Sequence, residues 1–464
     1  MSAFRDRFNR LRGSVGAEAE GAVPAAVEIH TPEQILDGAP AGEAPEAAAP
    51  PTSDHAVPEQ TALPEWEPYG VRLVRHEAGE FLLKETRFPI THRHGIHAFT
   101  EWTAAAPSLA AFHGDELVIG PDPCSADEMQ ENPPVPHDVL FLDLETTGLG
   151  VGAGNVPFML GISYFEGNEY VVRQSLIRHP AEERAMLADL KDRLPQFRYL
   201  VTYNGRTFDW PLVQSRFILN GFGSRVWEPL HLDFLHPSRT IWRNTLVSCK
   251  LSRVEEERLG VFRQDDLPGS EAPGRYFAYL ADGNPEPLAD VFRHNEIDML
   301  SLAALAIRFG HLLAGHIGQE VPVPTEPEEL VRTGLWLEKM GAVASAEPLL
   351  HSVRGLDHAP PSVWNRLAER DKRLGLWEEA VSLWRKSAAA AEQTGIPSTE
   401  AHIELSMYFE HRTKEISFAL AYARAALELA LQHPLSGRAN SKRRKEIDAL
   451  RHRIDRLVRK AAKS

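Results

Sequence analysis

Hydrophobic and polar positions divide the chain into stretches of different period. From Trp66, the run VRLVRHEAGEFLLKETRFPI is apolar in short pieces broken by Gly and Pro, which predicts a small β-rich segment over residues 66–137. From Asp138 the pattern tightens into VLFLDLE, FMLGISYF and YVVRQSLI, each a strand-length apolar or β-branched run. AEERAMLADLKDRL follows with helical spacing, YLVTYN reads as a further strand, and a second helix begins near Asp209. Three strands, a helix, a strand and a helix predict an α/β domain over residues 138–313. Its mixed sheet is flanked by helices, and its first three strands are antiparallel neighbours.

Beyond VPVPTEPEE, read as a Pro-marked hinge, strand-like runs cease. Lys339-Met340-Gly341 recurs as Arg373-Leu374-Gly375 and Ala346 recurs as Ala380, both at an interval of 34 residues. That period, with small residues where paired helices approach, predicts an all-α domain of tetratricopeptide-like repeats over residues 325–464. A third unit begins near Ser398 with its spacing off by several residues. A last helix carries Ile447, Leu450, Ile454 and Leu457 on one side, which would cap the stack and leave a basic face to solvent. Residues 1–65 have a short basic start and then an Ala/Pro/Glu-rich tract with too little large apolar surface to offset the entropy of ordering it. They predict a disordered region.

At 464 residues, with 43% hydrophobic and 25% charged positions, most of the chain can bury a core, and two or three domains are expected. Two cysteines, Cys124 and Cys249, are too few for a disulfide framework or a Cys-rich zinc module. There is no unbroken apolar run of ~20 residues, and the Arg-bearing N-terminus lacks the apolar core of a secretory signal. The expectation is a soluble cytoplasmic protein with no membrane association. A net charge of −15 excludes a protein that coats nucleic acid through overall charge. The charge is uneven, however. From Arg438 to Ser464 there are eleven Lys/Arg against three Asp/Glu, a surplus of +8, which leaves about −23 for the rest.

The chemistry concentrates in three places. In Phe141-Leu142-Asp143-Leu144-Glu145-Thr146-Thr147-Gly148, strand alternation puts Asp143 and Glu145 on one face. Two carboxylates so close repel unless cations share the space, and hard oxygen ligands of this kind suit Mg²⁺ or Mn²⁺. Tyr203-Asn204-Gly205-Arg206-Thr207-Phe208-Asp209 delivers a third acid at a strand's end, where α/β folds gather their sites. His294-Asn295-Glu296-Ile297-Asp298 lies on a helix, where the spacing of four brings His294 and Asp298 onto one face. Taken singly, Asp209 reads as a helix cap and His294 as a satisfied histidine. Together they add a carboxylate pair and an imidazole to the first two acids.

These residues resemble the three motifs of the DEDD superfamily of 3'→5' exonucleases, which have a ribonuclease-H-like fold. Asp143 and Glu145 match the first motif, Asp209 the second, and His294 and Asp298 the third. Three residues separate His294 from Asp298, where His-type members have four, and this shorter spacing keeps both side chains on one helical face. Leu251-Ser252-Arg253-Val254-Glu255, Arg263-Gln264-Asp265-Asp266-Leu267-Pro268-Gly269 and the stretch from Ala272 to Phe277 narrow the resemblance to the YprB-type exonucleases, also called mitomycin repair factor B. In these the nuclease domain precedes tetratricopeptide helices. The resemblance implies two Mg²⁺ or Mn²⁺ ions: Asp143 bridges them, Glu145 and Asp298 help to hold one, and Asp209 supports the other. It implies His294 as general base, DNA as substrate in repair, and a helicase or repair protein as partner of the helical domain.

Other candidates keep two readings. Thr146, Thr147 and Gly148 either contact the terminal nucleotide or end the strand, and Asn204 either touches the substrate sugar or fixes its turn. Asp233 is read as structural, and Arg239, Arg243, Lys250 and Arg263 as a solvated face rather than a phosphate track. Gly148-Leu149-Gly150-Val151-Gly152-Ala153 fits a dinucleotide fingerprint, yet a strand and not a helix follows it, which argues against that reading. His92, His94 and His97 have no Cys or acid at zinc-motif spacing and are read as a polar loop. The same chemistry on RNA, and a non-catalytic nucleic-acid-binding scaffold built on the helices, are the rival functions.

Overall fold

The computed structural model describes residues 60–113, 134–148, 154–396, 398–432 and 440–462. Most of the expected N-terminal disordered region, Cys124 and the glycine run from Leu149 to Ala153 lie outside them. A strand already lies ahead of Trp66. Gln60–Ala62 (β1) pairs antiparallel with Val71–His76 (β2), because an open strand edge accepts main-chain partners whatever their composition.

The β-rich segment joins the sheet of the α/β domain. Gly79–Pro89 (β3) pairs with Glu169–Leu176 (β8), so β1 to β3 extend one eight-stranded sheet. The remaining strands are Val139–Thr146 (β6), Pro157–Glu166 (β7), Tyr199–Thr202 (β9) and Leu230–Asp233 (β10). The order across the sheet is β1-β2-β3-β8-β7-β6-β9-β10. The β6, β7 and β8 neighbours are antiparallel as the pattern predicts, while β9 runs parallel to both β6 and β10. The histidine segment folds as a two-stranded ribbon, Arg93–His94 (β4) with His97–Ala98 (β5), rather than as a loop.

Strand β6 sorts its residues by parity. Val139 and Phe141 enter one apolar cluster, and Leu140, Leu142 and Leu144 enter the cluster on the other face. The second face is covered by Glu183–Arg193 (α1), Asp209–Leu219 (α2) and Ala272–Asp282 (α4). The first is covered by the residues 99–109 and by the long helix Ala289–Ala314 (α5), which follows Leu235–Trp242 (α3) in that layer. Among the described residues, Glu286–Ala314 is long and apolar enough to cross a membrane, but 89% of its apolar stretch is buried inside the protein. It is the core helix.

Helix α5 also meets the start of the C-terminal helices, which are Pro327–Lys339 (α6), Val343–Arg354 (α7), Pro361–Arg373 (α8), Trp377–Thr394 (α9), Glu400–Tyr408 (α10), Ile416–Leu431 (α11) and Asn440–Ala461 (α12). Gly341 and Gly375 both take left-handed φ (80° and 78°) at the α6–α7 and α8–α9 turns, and Ala346 and Ala380 are fully buried. The proline-marked joint is packed rather than hinged, since proline there starts α6 instead of loosening the chain. Trp242 donates its indole N–H to Glu329 (2.8 Å), Arg258 pairs with the same carboxylate (2.7 Å), and the Phe309 and Trp336 rings lie 5.5 Å apart. On α12, Ile447, Leu450 and Leu457 are buried, with Ile454 packed beside them. Its basic face is partly neutralised, because buried Glu410 accepts from Arg456 and Lys460 at 2.6 Å and from Arg453 at 3.3 Å.

Gly310 sets how closely α5 approaches the preceding layer, since a β-carbon there would overlap the carbonyl oxygen of Ala105. Gly310→Ala gains ~0.5–1 kcal/mol of helix propensity. It loses more, about 1–3 kcal/mol, to overpacking against backbone that cannot move aside. A net loss of stability in urea unfolding is expected, and an unchanged midpoint would show that the helix does not sit this close.

Candidate metal and nuclease centre

Continuing the parity of β6 past Phe141 puts Asp143 and Glu145 on the face that α5 crosses. Helix α5 meets them with Asn295, which is fully buried and donates its amide to Asp143 Oδ2 (2.8 Å). Gln174 on β8 donates to Asn295 Oδ1 at 3.0 Å, which fixes the direction of that amide. Gly161 lies opposite Asp143 in the ladder, and any β-carbon there would collide with the Asn295 side chain. Glycine on β7 is therefore what lets α5 reach the carboxylate.

His294 and Asp298 stand one turn apart on α5, as their spacing requires, with His294 Nε2 3.4 Å from Asp298 Oδ2. The other ring nitrogen, Nδ1, is 2.9 Å from Asp266 Oδ1. Asp266 and Arg263 come from the loop before α4. Arg263 is nearly buried and reaches Glu255 through Nε and Nη2 (2.6 Å each), Asp266 (2.9 Å), His294 Nδ1 (3.2 Å) and Asp298. Reading Arg263 as part of a solvated face is corrected here, because its charge is spent on the acids. Asp265, beside Asp266, adopts left-handed φ (50°), a conformation Asp tolerates better than most residues. The sequence reading also missed Glu255, Asp266 and Asn295. The one local signal was a cation and two acids packed into Arg263-Gln264-Asp265-Asp266.

Asp209 opens α2, buried, within electrostatic reach of Asp298 and Asp143. Its turn is set by Asp233, whose carboxylate accepts the N–H groups of Asn204 (2.8 Å), Arg206 (3.0 Å) and Leu235 (3.0 Å). Asn204 takes φ 71° in that turn, and its side-chain oxygen accepts from Thr207 (2.9 Å). At the end of β6, Thr146 Oγ1 and Asn155 Nδ2 both donate to the Gly148 carbonyl (2.7 and 2.6 Å), and Thr147 Oγ1 accepts from Val156 N–H (3.0 Å). These contacts hold the strand end and the αL turn. The three neighbouring histidines diverge: His92 lies tilted between the rings of Phe88 and Phe99, His94 bonds Ser301 (2.8 Å), and His97 turns toward Glu101.

The acids are held against their own charge. Burial, then the charges of Asp298 and Asp209, raises the Asp143 carboxyl well above its ordinary range, and burial with Asp143, Asp298 and Asp209 does the same to Glu145. Burial pushes Asp209 up to about 7 against the pull of its own backbone N–H, with Asp233 and Asp298 adding to the rise. For His294, burial favours the neutral ring, but Asp298 and Asp266 outweigh it and raise the pKa. Glu145, His294 and Asp298 each offer a ligand atom, all within 4.8 Å of one another. A divalent cation fits this donor set, because it would relieve the repulsion that the raised carboxyl pKa values record.

The chain is 34% identical over 404 residues to the uncharacterized protein YprB of Bacillus subtilis (strain 168), a match spanning 86% of this chain and 90% of that protein. The chain belongs to the YprB family. Residues 140–309 match the model of the RNase H superfamily, a span that runs from β6 to the last turns of α5 and so contains all five residues of the three motifs. For this YprB-family chain, the superfamily's nuclease-type domain points to nucleic-acid cleavage, with nucleic acid as the substrate and divalent metal as the usual requirement.

A carboxylate whose folded pKa lies above its unfolded value of ~3.9 costs stability as pH rises through the window between the two, because the native state holds a proton that the unfolded state has lost. For Asp209 that window ends at about 7. In chelator-treated protein, Asp209→Asn should match the parent near pH 4, become progressively more stable than the parent up to about pH 7, and hold a constant gap above it. Unfolding by urea across pH checks this, and a gap that narrows with pH would contradict the placement of Asp209.

Proposed function

We propose that this chain is a metal-dependent 3'→5' exonuclease that acts on DNA in repair, in the cytoplasm. The observation that carries the reading is the convergence of Asp143, Glu145, Asp209 and Asp298 with His294 at the end of the central strand. Its polarity, its DNA substrate and its repair role rest on the motif resemblance.

Asp143, Glu145, Asp298 and Asp209 would hold two Mg²⁺ or Mn²⁺ ions, which when bound stabilise the attacking and leaving oxygens of an in-line displacement at phosphorus. Asn295 keeps the Asp143 carboxylate aimed by occupying one oxygen with an N–H donor. His294 takes the proton of the attacking water at Nε2, while Asp266 at Nδ1 holds the ring orientation and stabilises the imidazolium that results. Arg263 balances Asp298, Glu255 and Asp266, so the loop that carries Asp266 stays on the site. The strand-end turn at Thr146 to Gly148 and the turn at Asn204 would flank the terminal nucleotide. The C-terminal helices, read as tetratricopeptide-like, would position a helicase or repair partner, with the basic residues of α12 that Glu410 leaves unpaired facing nucleic acid.

Purified protein with 3'- and 5'-labelled DNA and RNA, in Mg²⁺, Mn²⁺ or EDTA, tests this reading. Metal-dependent release of mononucleotides from DNA 3' ends is expected. Preference for RNA would move the substrate to the rival reading, and no metal-dependent cleavage of either would leave a scaffold. Asp143→Ala should abolish turnover with the far-ultraviolet circular dichroism unchanged, and normal turnover by that variant in Mg²⁺ would end the assignment. His294→Ala should lower kcat several hundred-fold while metal still binds, since a general base contributes ~10²–10⁴. An unchanged kcat would leave the ring without a role.

A further inference from the structure

A second group of metal-ligating side chains lies at the opposite end of α5. His97 on β5, Glu101 in the turn that follows it, and His311 near the C-terminus of α5 each present a ligand atom, all within 4.8 Å of one another. His97 Nδ1 is 2.7 Å and His311 Nε2 3.3 Å from the same oxygen, Glu101 Oε2. His311 is thirteen residues beyond Asp298 on one helix, about 20 Å along the axis at ~1.5 Å per residue. The group therefore cannot share an ion with the carboxylate centre.

The surroundings orient these atoms as a metal's outer partners would. The second Glu101 oxygen accepts the Ala98 N–H (2.7 Å), which fixes the carboxylate plane. His311 Nδ1 is 2.9 Å from Nδ1 of His316, just past the helix end, so a proton on His311 Nδ1 leaves Nε2 with its lone pair toward Glu101. A ligating histidine ordinarily anchors its other nitrogen in this manner. With no ion present His97 Nδ1 donates to the ionised Glu101, and among the described residues nothing bonds His97 Nε2, so ligation through Nδ1 would shift the ring proton to Nε2. Burial keeps both rings toward the neutral form, which is the form that ligates. Although burial opposes its charge, Glu101 stays ionised through the Ala98 N–H and His97. Arg308 works against a cation here by placing a buried positive charge near His97, so affinity depends on the Glu101 carboxylate.

We propose that His97, Glu101 and His311 form a second metal site, selective for a zinc-type transition ion over Mg²⁺. Two imidazoles and one carboxylate suit such an ion, whereas Mg²⁺ prefers oxygen donors throughout. His316 is its outer hydrogen-bond partner. The ion would staple the β4–β5 ribbon and its following turn to the helix that carries His294 and Asp298, which is a structural role.

The test uses full-length protein stripped by chelator and carrying Asp143→Asn and Asp298→Asn, so that the carboxylate centre is disabled, titrated with Co²⁺ alone as a coloured probe. One equivalent with visible d–d absorption is expected, displaced by Zn²⁺ and not by Mg²⁺, together with a Zn²⁺-dependent rise in Tm. Adding His311→Gln or the isosteric Glu101→Gln should remove both the band and the Tm rise. His316→Ala should weaken Co²⁺ binding ~10- to 100-fold. Failure of the parent double variant to bind Co²⁺ at micromolar concentration would overturn the site, as would an undiminished band in Glu101→Gln. Nuclease activity does not enter any of these readouts, so the result stands apart from the exonuclease reading.

Discussion

Like charges forced together in a buried place are the constraint around which this molecule is organised. Asp143, Glu145, Asp209 and Asp298 repel one another, and Asp143, Glu145 and Asp209 are more costly to ionise for being removed from water. A fold keeps such an arrangement only if the carboxylates are held from outside, and here three elements hold them. Asn295 and Gln174 pin Asp143 across the sheet face, Asp233 and the Asn204 turn set the start of α2, and Arg263 neutralises Asp298. What remains is a set of oxygens ready for cations and too strained to be content without them.

Parity and spacing made the motif residues legible. Asp143 and Glu145 share a face because strands alternate, and His294 and Asp298 share one because helices repeat every 3.6 residues. The strand pattern also announced the antiparallel β6–β7–β8 unit. Arg263 and Asp266 carry no such periodic mark. They sit in a loop, and their partners are about thirty residues away in sequence, so only the folded loop reveals that the arginine faces inward. Gly161 was illegible for a similar reason: within an apolar strand nothing distinguishes it until Asn295 is seen to occupy the place of its missing side chain.

The joint after Val321 shows where composition misleads. Proline clusters mark the end of one element and the start of the next, and they say little about whether the flanking surfaces pack. Here Trp242, Phe309 and Trp336 continue the nuclease core into the helices without a break, and Glu329 is shared by Trp242 and Arg258 from the other side. Removing either charged partner while the joint stays closed would leave the other poorly compensated away from water, which is costly.

Helix α5 connects these themes. Its first turns bring His294, Asn295 and Asp298 to the carboxylates, its middle fills the sheet face through Met299, Leu302 and Ala306, and its last turns meet Trp336 and the His97–Glu101 corner. Tyr170 on β8 donates to the Met299 carbonyl (2.8 Å), and the absent side chain at Gly310 lets the helix settle against Ala105, so its position is defined along its length. One helix therefore sets both the aim of His294, Asn295 and Asp298 at the carboxylates and the surface on which Trp336 packs, so the two regions share a single structural element rather than a linker.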